Sequence, residues 1–234
     1  MNIVDDISEF LKIPKETVIS KMRNGMLLVK DDWEKADPKT EEEVIEFYKK
    51  CKNYIFDLAE WHEHGAYAKK WDLDLIQIVK TINPMAKTVL DYGCGIGSNG
   101  FLFHEAGFDV TLADLESFSL DFARFRIEKH DLLIKVIKID KEDVKDQFDV
   151  VLCLDTIEHV VDPTGLLEKL VSYLNLEGKL FLTVVEPGPY HPMHFRVKAD
   201  FWDYVKKIKQ ENKIGHLWFW KFSLAKNEWT MELF

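Results

Sequence analysis

Val89-Leu90-Asp91-Tyr92-Gly93-Cys94-Gly95-Ile96-Gly97-Ser98-Asn99-Gly100 is the stretch on which the fold turns. A short apolar run ends in a carboxylate and then in alternating glycines, which let the backbone turn sharply at a strand end and approach a ligand closely. The pattern has two readings, because Gly95-Ile96-Gly97-Ser98-Asn99-Gly100 also matches the dinucleotide fingerprint GxGxxG. Asp91 separates them. A pyrophosphate at this loop would be repelled by a carboxylate at the strand end, whereas a ligand's ammonium group would be attracted to it.

Around this loop, short apolar runs alternate with helical stretches. Strands are expected over 88–90, 109–113, 135–139, 148–154 and 179–185, and helices over 99–106, 117–129 and 163–174. Such alternation implies right-handed crossovers and a parallel sheet covered on both faces. After a helix over 201–209, aromatic runs over 216–222 and 229–234 read as a closing antiparallel hairpin. The expected fold class is α/β, a doubly wound, mostly parallel seven-stranded sheet with an antiparallel C-terminal strand.

Upstream of the loop the chain is helical in period. Ile3, Ile7, Phe10 and Leu11 share one helix face, and Ile13-Pro14-Lys15-Glu16 opens a second short helix that Asn24-Gly25 closes. Asp37-Pro38 marks a turn. Thr40 with Glu43 forms a capping box before a long helix to about residue 59, and a further helix spans 66–81. Residues 1–82 are read as a helical N-terminal cap on a main domain over 83–234. The cap reading is preferred to a helix-turn-helix over 13–25, because Lys12, Lys15, Lys21 and Arg23 are balanced by nearby acids.

The chain has 234 residues, 47% hydrophobic and 31% charged, enough apolar surface for a core and too much for a disordered chain. Its 31 Lys and Arg against 41 Asp and Glu give a net charge of -10, so nucleic acid is not expected as a partner. Cys51, Cys94 and Cys153 lie far apart with no CxxC spacing, which suits a reducing, cytoplasmic setting. The N-terminus shows no signal pattern and no stretch reaches about 18 apolar residues, so no membrane association is expected.

The register Asp91-x-Gly93-x-Gly95-x-Gly97 resembles motif I of class I S-adenosylmethionine-dependent methyltransferases, and the resemblance continues in order over residues 87–185. It implies a Rossmann-like fold, S-adenosylmethionine as cofactor and a small-molecule methyl acceptor. In that family an acid ending the second strand takes both ribose hydroxyls. Asp114 of Leu112-Ala113-Asp114-Leu115 stands there, 23 residues beyond Asp91. Asp140 of Ile139-Asp140-Lys141 matches the acid that receives the adenine amino group. Asp155-Thr156-Ile157-Glu158-His159-Val160 is closely similar to motif IV of the ubiquinone-biosynthesis-like branch, and Leu176-Glu177-Gly178-Lys179-Leu180 matches the turn before the fifth strand. The resemblance therefore assigns Asp91, Gly93, Cys94, Gly95, Gly97, Asp114, Leu115, Asp140, Lys141 and Asp155 to the cofactor. Relatives also lay a segment before the first strand over the sulfonium, where a ring face attracts a cation. Tyr67 and Trp71 are the candidates here, with Tyr67 preferred.

Methyl transfer is an in-line displacement at carbon, in which positioning supplies much of the acceleration and a dedicated base is optional. His159 is the candidate base, since an imidazole suits proton removal from a hydroxyl. His191, in the loop after the fifth strand, joins it as a second catalytic candidate. The main expectation is metal-free transfer to oxygen or nitrogen. An alternative is a metal-assisted O-methyltransferase in which Asp155, Glu158, His159 and His191 or His194 hold a divalent cation. A nicotinamide-dependent oxidoreductase is the alternative from another class, and a non-catalytic cofactor-binding protein a third. His62 and His64 are read as part of a solvated turn, because positions i and i+2 do not share a helix face.

Overall fold

The computed structural model describes residues 1–64, 68–187, 192–223 and 228–233. Its central sheet comprises, among the described residues, β1 (Thr88–Tyr92), β2 (Asp109–Asp114), β3 (Lys135–Lys138), β4 (Phe148–Cys153), β5 (Leu174–Val185), β6 (Ile214–Ser223) and β7 (Glu228–Leu233). The order is β3-β2-β1-β4-β5-β6-β7. The first six strands are mutually parallel, and β7 runs antiparallel to β6 as the outer strand of the aromatic hairpin. Successive residues Val150, Val151, Leu152 and Cys153 are all fully buried, the mark of a strand covered on both faces. Strand order reverses between β1 and β4, so the crevice at their carboxyl ends is where a ligand belongs.

Ten helices surround the sheet among the described residues. Six precede it: α1 (Ile3–Leu11), α2 (Lys15–Met22), α3 (Gly25–Ala36), α4 (Glu41–Lys50), α5 (Tyr54–His64) and α6 (Ala68–Ile82). Then come α7 (Ser98–Glu105), α8 (Phe118–Lys129), α9 (Pro163–Ser172) and α10 (Ala199–Gln210). Side-chain caps start several of them, including the Asn2 amide on α1, the Thr40/Glu43 capping box on α4 and the Ser117 hydroxyl on α8. On one sheet face, α9 and α10 bury Leu167, Leu170, Phe201, Val205 and Ile208. On the other, Leu75, Ile76 and Val79 of α6 pack with Phe101 and Phe103 of α7. A third core joins Ile3, Ile7, Val18, Met22, Ile55 and Phe56 of the N-terminal helices to Ile96 of the glycine loop and Phe122 of α8.

The structure departs from expectation at three points in the N-terminal part. Asn24-Gly25 closes α2, which ends at Met22, as expected, but it also starts α3, a helix that was not anticipated, with Asn24 as its cap. A Cβ on Gly25 would lie 2.5 Å from the Asp57 Cα, so glycine is what allows α3 and α5 to cross this closely. The long helix expected up to residue 59 is two helices. Cys51, in an extended conformation, breaks it, and Asp32 of α3 holds the break by accepting the Asn53 side-chain amide at 2.7 Å.

The third revision concerns His62 and His64, which lie in α5 and not in a solvated turn. Nδ1 of His62 is buried with no hydrogen bond among the described residues, and burial, aided by the charge of Arg126, pushes its pKa down to about 4. A histidine whose folded pKa lies below its unfolded value binds fewer protons when folded, so stability is lost as pH falls from about 6.5 toward 4. His62→Leu is expected to remove about 2 kcal/mol of that loss between pH 7.5 and 5, read as a flatter Tm-against-pH curve.

Two smaller differences concern β5 and the carboxyl edge. Strand β5 begins at Leu174 rather than 179, and its pairing with β4 is interrupted between Phe148 and Val150, where the exposed Leu176 and its neighbours bulge out as the expected turn. Past β5, Met193 is buried with Val29, Phe47 and Cys51, so the N-terminal helices also hold the loop that follows this strand.

Candidate functional site

The glycine loop leaves β1 with φ of 73° at Gly93, 54° at Gly95 and 79° at Gly97, left-handed values that L side chains resist. The N–H groups of Gly93 and Cys94 donate to the Ala113 carbonyl at 2.8 and 3.3 Å, and the Gly97 N–H donates to the Cys94 carbonyl at 2.8 Å. Asp91 is buried, and one of its carboxylate oxygens accepts the Gly100 N–H at 2.9 Å, fixing the first turn of α7. A Cβ on Gly93 would lie 2.3 Å from the Thr156 hydroxyl. Gly93→Ala is therefore expected to lower Tm by several degrees and to weaken cofactor binding at least ten-fold, measured by calorimetry.

The acids assigned to the cofactor line one edge of the sheet, because β3, β2, β1 and β4 are neighbours and each carries one at its carboxyl end. Asp114 accepts the Gly95 N–H and the Leu115 N–H, each at 2.7 Å. Burial pushes its pKa up to about 6, and these amides offset that only in part. Asp140 accepts the Glu116 N–H at 2.8 Å and the Lys49 ammonium at 2.6 Å. Burial alone would raise its pKa, yet the Lys49 charge holds it below the ordinary value.

Asp155 and Lys141 are placed differently. The Asp155 carboxyl accepts the Thr183 hydroxyl of β5 at 2.9 Å and is raised by burial. Lys141 spends its backbone N–H on the Lys138 carbonyl at 2.9 Å, while its ammonium lies 3.4 Å from Glu116. Cys94 is buried, which raises its thiol well above the ordinary value.

Beyond β4 follows a 3-10 turn, Ile157–His159. Glu158 is 1% exposed, and neither carboxylate oxygen makes a hydrogen bond among the described residues. Burial raises its pKa well above the ordinary value, and the nearby Asp155 adds to this. His159 stands with Nδ1 2.7 Å from the Tyr48 hydroxyl and Nε2 3.5 Å from the Tyr54 hydroxyl. Burial holds both phenols well above their usual pKa, so they remain protonated. The His194 ring lies 4.6 Å from that of His159, edge-on.

Ligand atoms of Glu158, His159 and His194 all fall within 4.8 Å of one another. Asp155, expected in a metal set with them, is not in this group; its short side chain is engaged by Thr183. Tyr67 and His191 lie outside the described residues, as does the side chain of Trp71.

Several residues reach the site without any sequence signal. Tyr48 and Lys49 are consecutive on α4, yet one meets His159 and the other Asp140, so this helix straddles the crevice from the β4 side to the β3 side. Leu58 of α5 packs against the glycine loop, 2.9 Å from where a Cβ on Gly95 would be. The capping box of Thr40 announced α4, but nothing in its sequence says which surface the helix would cover.

A parallel sheet with this reversal, a glycine loop leaving β1 and acids closing β2 and β3 is the frame of a doubly wound domain that binds a nucleotide-like cofactor at its switch point. Residues 58–226 match the family model described as a methyltransferase domain, and the chain belongs to that family. It is 33% identical over 121 residues to the ubiquinone biosynthesis O-methyltransferase of Actinobacillus pleuropneumoniae serotype 7, a match covering 48% of this chain and 51% of that one. The corresponding protein of Rickettsia typhi is 25% identical over 200 residues, covering 73% and 81% of the two chains. The chain thus spans about half the length of the first of these relatives. A solved structure of an amino pentose methyltransferase from Micromonospora echinaspora aligns with a TM-score of 0.47 at 18% identity, over 61% of this chain and 59% of that one. Membership in the methyltransferase family sets aside the nicotinamide-dependent oxidoreductase.

Proposed function

We propose that this protein transfers the methyl group of S-adenosylmethionine to a hydroxyl oxygen of a small molecule. Asp114 carries the reading. It is a partly buried carboxylate at the end of β2 whose two oxygens hold loop amides and still have lone pairs free for the two hydroxyls of a ribose. Asp140 offers an acceptor for an adenine amino group once Lys49 yields it, and the N-terminal helices cover the crevice. The hydroxyl oxygen attacks the methyl carbon as the carbon–sulfur bond breaks, leaving S-adenosylhomocysteine, and the hydroxyl proton passes to His159. In the tautomer with Nδ1–H donating to Tyr48, Nε2 is the basic nitrogen, with the Tyr54 hydroxyl 3.5 Å from it. The O-methyltransferase relatives favour oxygen over nitrogen as the acceptor.

The test is calorimetric titration with S-adenosylhomocysteine beside NADH, followed by mass spectrometry of a panel of hydroxylated acceptors. Binding of the first alone, with the gain of one methyl group on an acceptor, is expected; binding of NADH alone would refute the reading. The net charge of -10 supports a small acceptor over nucleic acid. Three free, buried cysteines support a cytoplasmic setting. No helix among the described residues is long and apolar enough to cross a membrane.

A second reading rests on the donor cluster. Glu158, His159 and His194 offer one oxygen and two imidazole nitrogens at a spacing that fits a divalent cation, and the buried Glu158 carboxylate has no hydrogen bond among the described residues. Such an ion would supply Lewis acidity toward the acceptor hydroxyl. On this reading, exhaustive chelation abolishes turnover and Mg2+ or Mn2+ restores it. Full activity after chelation leaves His159 acting as the base alone.

A further inference from the structure

We propose that Arg126 of α8 and Asp6 of α1 are positioning residues for the cofactor loop, which couples docking of the N-terminal helix to cofactor affinity; this rests on the cofactor reading above. The loop needs an external support. Three of its residues are glycines in left-handed conformations, so its own backbone carries little restraint. Ile96 lies between two of them. Its carbonyl accepts the Arg126 Nη1–H at 3.0 Å, and its side chain is fully buried in the core formed by α1, α2 and α5. Holding that carbonyl sets the peptide plane shared with Gly97, whose N–H bonds the Cys94 carbonyl, next to Gly95, whose N–H reaches Asp114.

Arg126 is itself held from the N-terminus. It is 5% exposed, and its guanidinium lies over the ring of Phe101 at 4.6 Å. Its Nε donates to the Asp6 carboxylate at 3.3 Å. Asp6, 1% exposed, also receives Lys129 at 3.1 Å and His130 Nε2 at 3.0 Å. Burial would raise the Asp6 pKa, yet hydrogen bonds from His130 and Lys129 and the Arg126 charge hold it below the ordinary value. A buried guanidinium that loses its carboxylate must find other acceptors, and the loop carbonyl is the one already in its grasp. Asp6 thus fixes where Arg126 stands, and Arg126 fixes the loop.

Coupling of this kind is reciprocal, so cofactor binding must tighten α1 as much as α1 tightens the cofactor. Two measurements on the full chain test it. Asp6→Asn and Arg126→Lys, the latter keeping the charge but losing the planar fork, are expected to weaken S-adenosylhomocysteine binding on the order of ten-fold and to raise KM for S-adenosylmethionine alone, with acceptor KM unchanged. Glu9→Gln, which breaks only the exposed partner of Lys129, is expected to bind as wild type. In the wild type, S-adenosylhomocysteine should increase hydrogen-exchange protection of the α1 amides, and this arm decides the question if Asp6→Asn does not fold. Affinity within two-fold of wild type in both variants, or α1 protection unchanged by the ligand, overturns the proposal. A wild type that does not bind S-adenosylhomocysteine overturns the cofactor reading and the proposal with it.

Discussion

Asp114→Ala is expected to weaken S-adenosylhomocysteine binding by about 10²–10⁴-fold, because two charge-assisted hydrogen bonds to hydroxyls are lost, each worth about 1.5–3 kcal/mol. The same change frees the Gly95 and Leu115 N–H groups that the carboxylate now holds, so some of the loss arises from a looser loop. A pH titration separates the two contributions. With a folded pKa raised to about 6 against an ordinary 3.8, Asp114 binds a proton in the folded chain more readily than in the unfolded one. The stability that this protonated form lends is present at low pH and lost as pH rises through about 6. Hydroxyl donors prefer the ionised carboxylate, so cofactor affinity should climb over the same window in the wild type. Asp57, also raised to about 6 by burial, titrates beside it, which makes the comparison with Asp114→Ala necessary. An affinity in Asp114→Ala close to wild type would remove the ribose assignment.

His159→Ala is expected to lower kcat by about 10²–10⁴-fold, the range of a positioned general base, with cofactor affinity unchanged within two-fold. Tyr48→Phe should produce a smaller fall in kcat, since the phenol 2.7 Å from Nδ1 orients the imidazole and sets which nitrogen is basic. Little change in kcat for His159→Ala would reduce the imidazole to a structural partner of Tyr48 and leave positioning alone to drive the transfer.

The parts legible in the sequence are those recorded in local pattern. Unbroken apolar runs such as Val150 to Cys153 announce strands buried on both faces, and the aromatic hairpin announced β6 and β7. The alternating glycines placed the loop, and the acids at the ends of β2 and β3 lie along the edge where the order of motifs put them. The capping box at Thr40 started α4 where it was read. Where α4 ends was not legible, because its break is held by Asp32 from another helix, and Gly25, read correctly as closing α2, also opens α3 at a point where α5 crosses it closely.

What only the tertiary structure decided is which surfaces meet. Tyr48 and His159 are 111 residues apart, and Asp6 and Arg126 are 120 apart. The same holds for Asp155, which matched a cofactor motif by sequence but is engaged by Thr183 of the neighbouring strand. Periods of 2 and 3.6 residues tell which side of a strand or helix is buried. They carry no record of the partner it is buried against, and in this protein those partners join the N-terminal helices to both ends of the cofactor crevice.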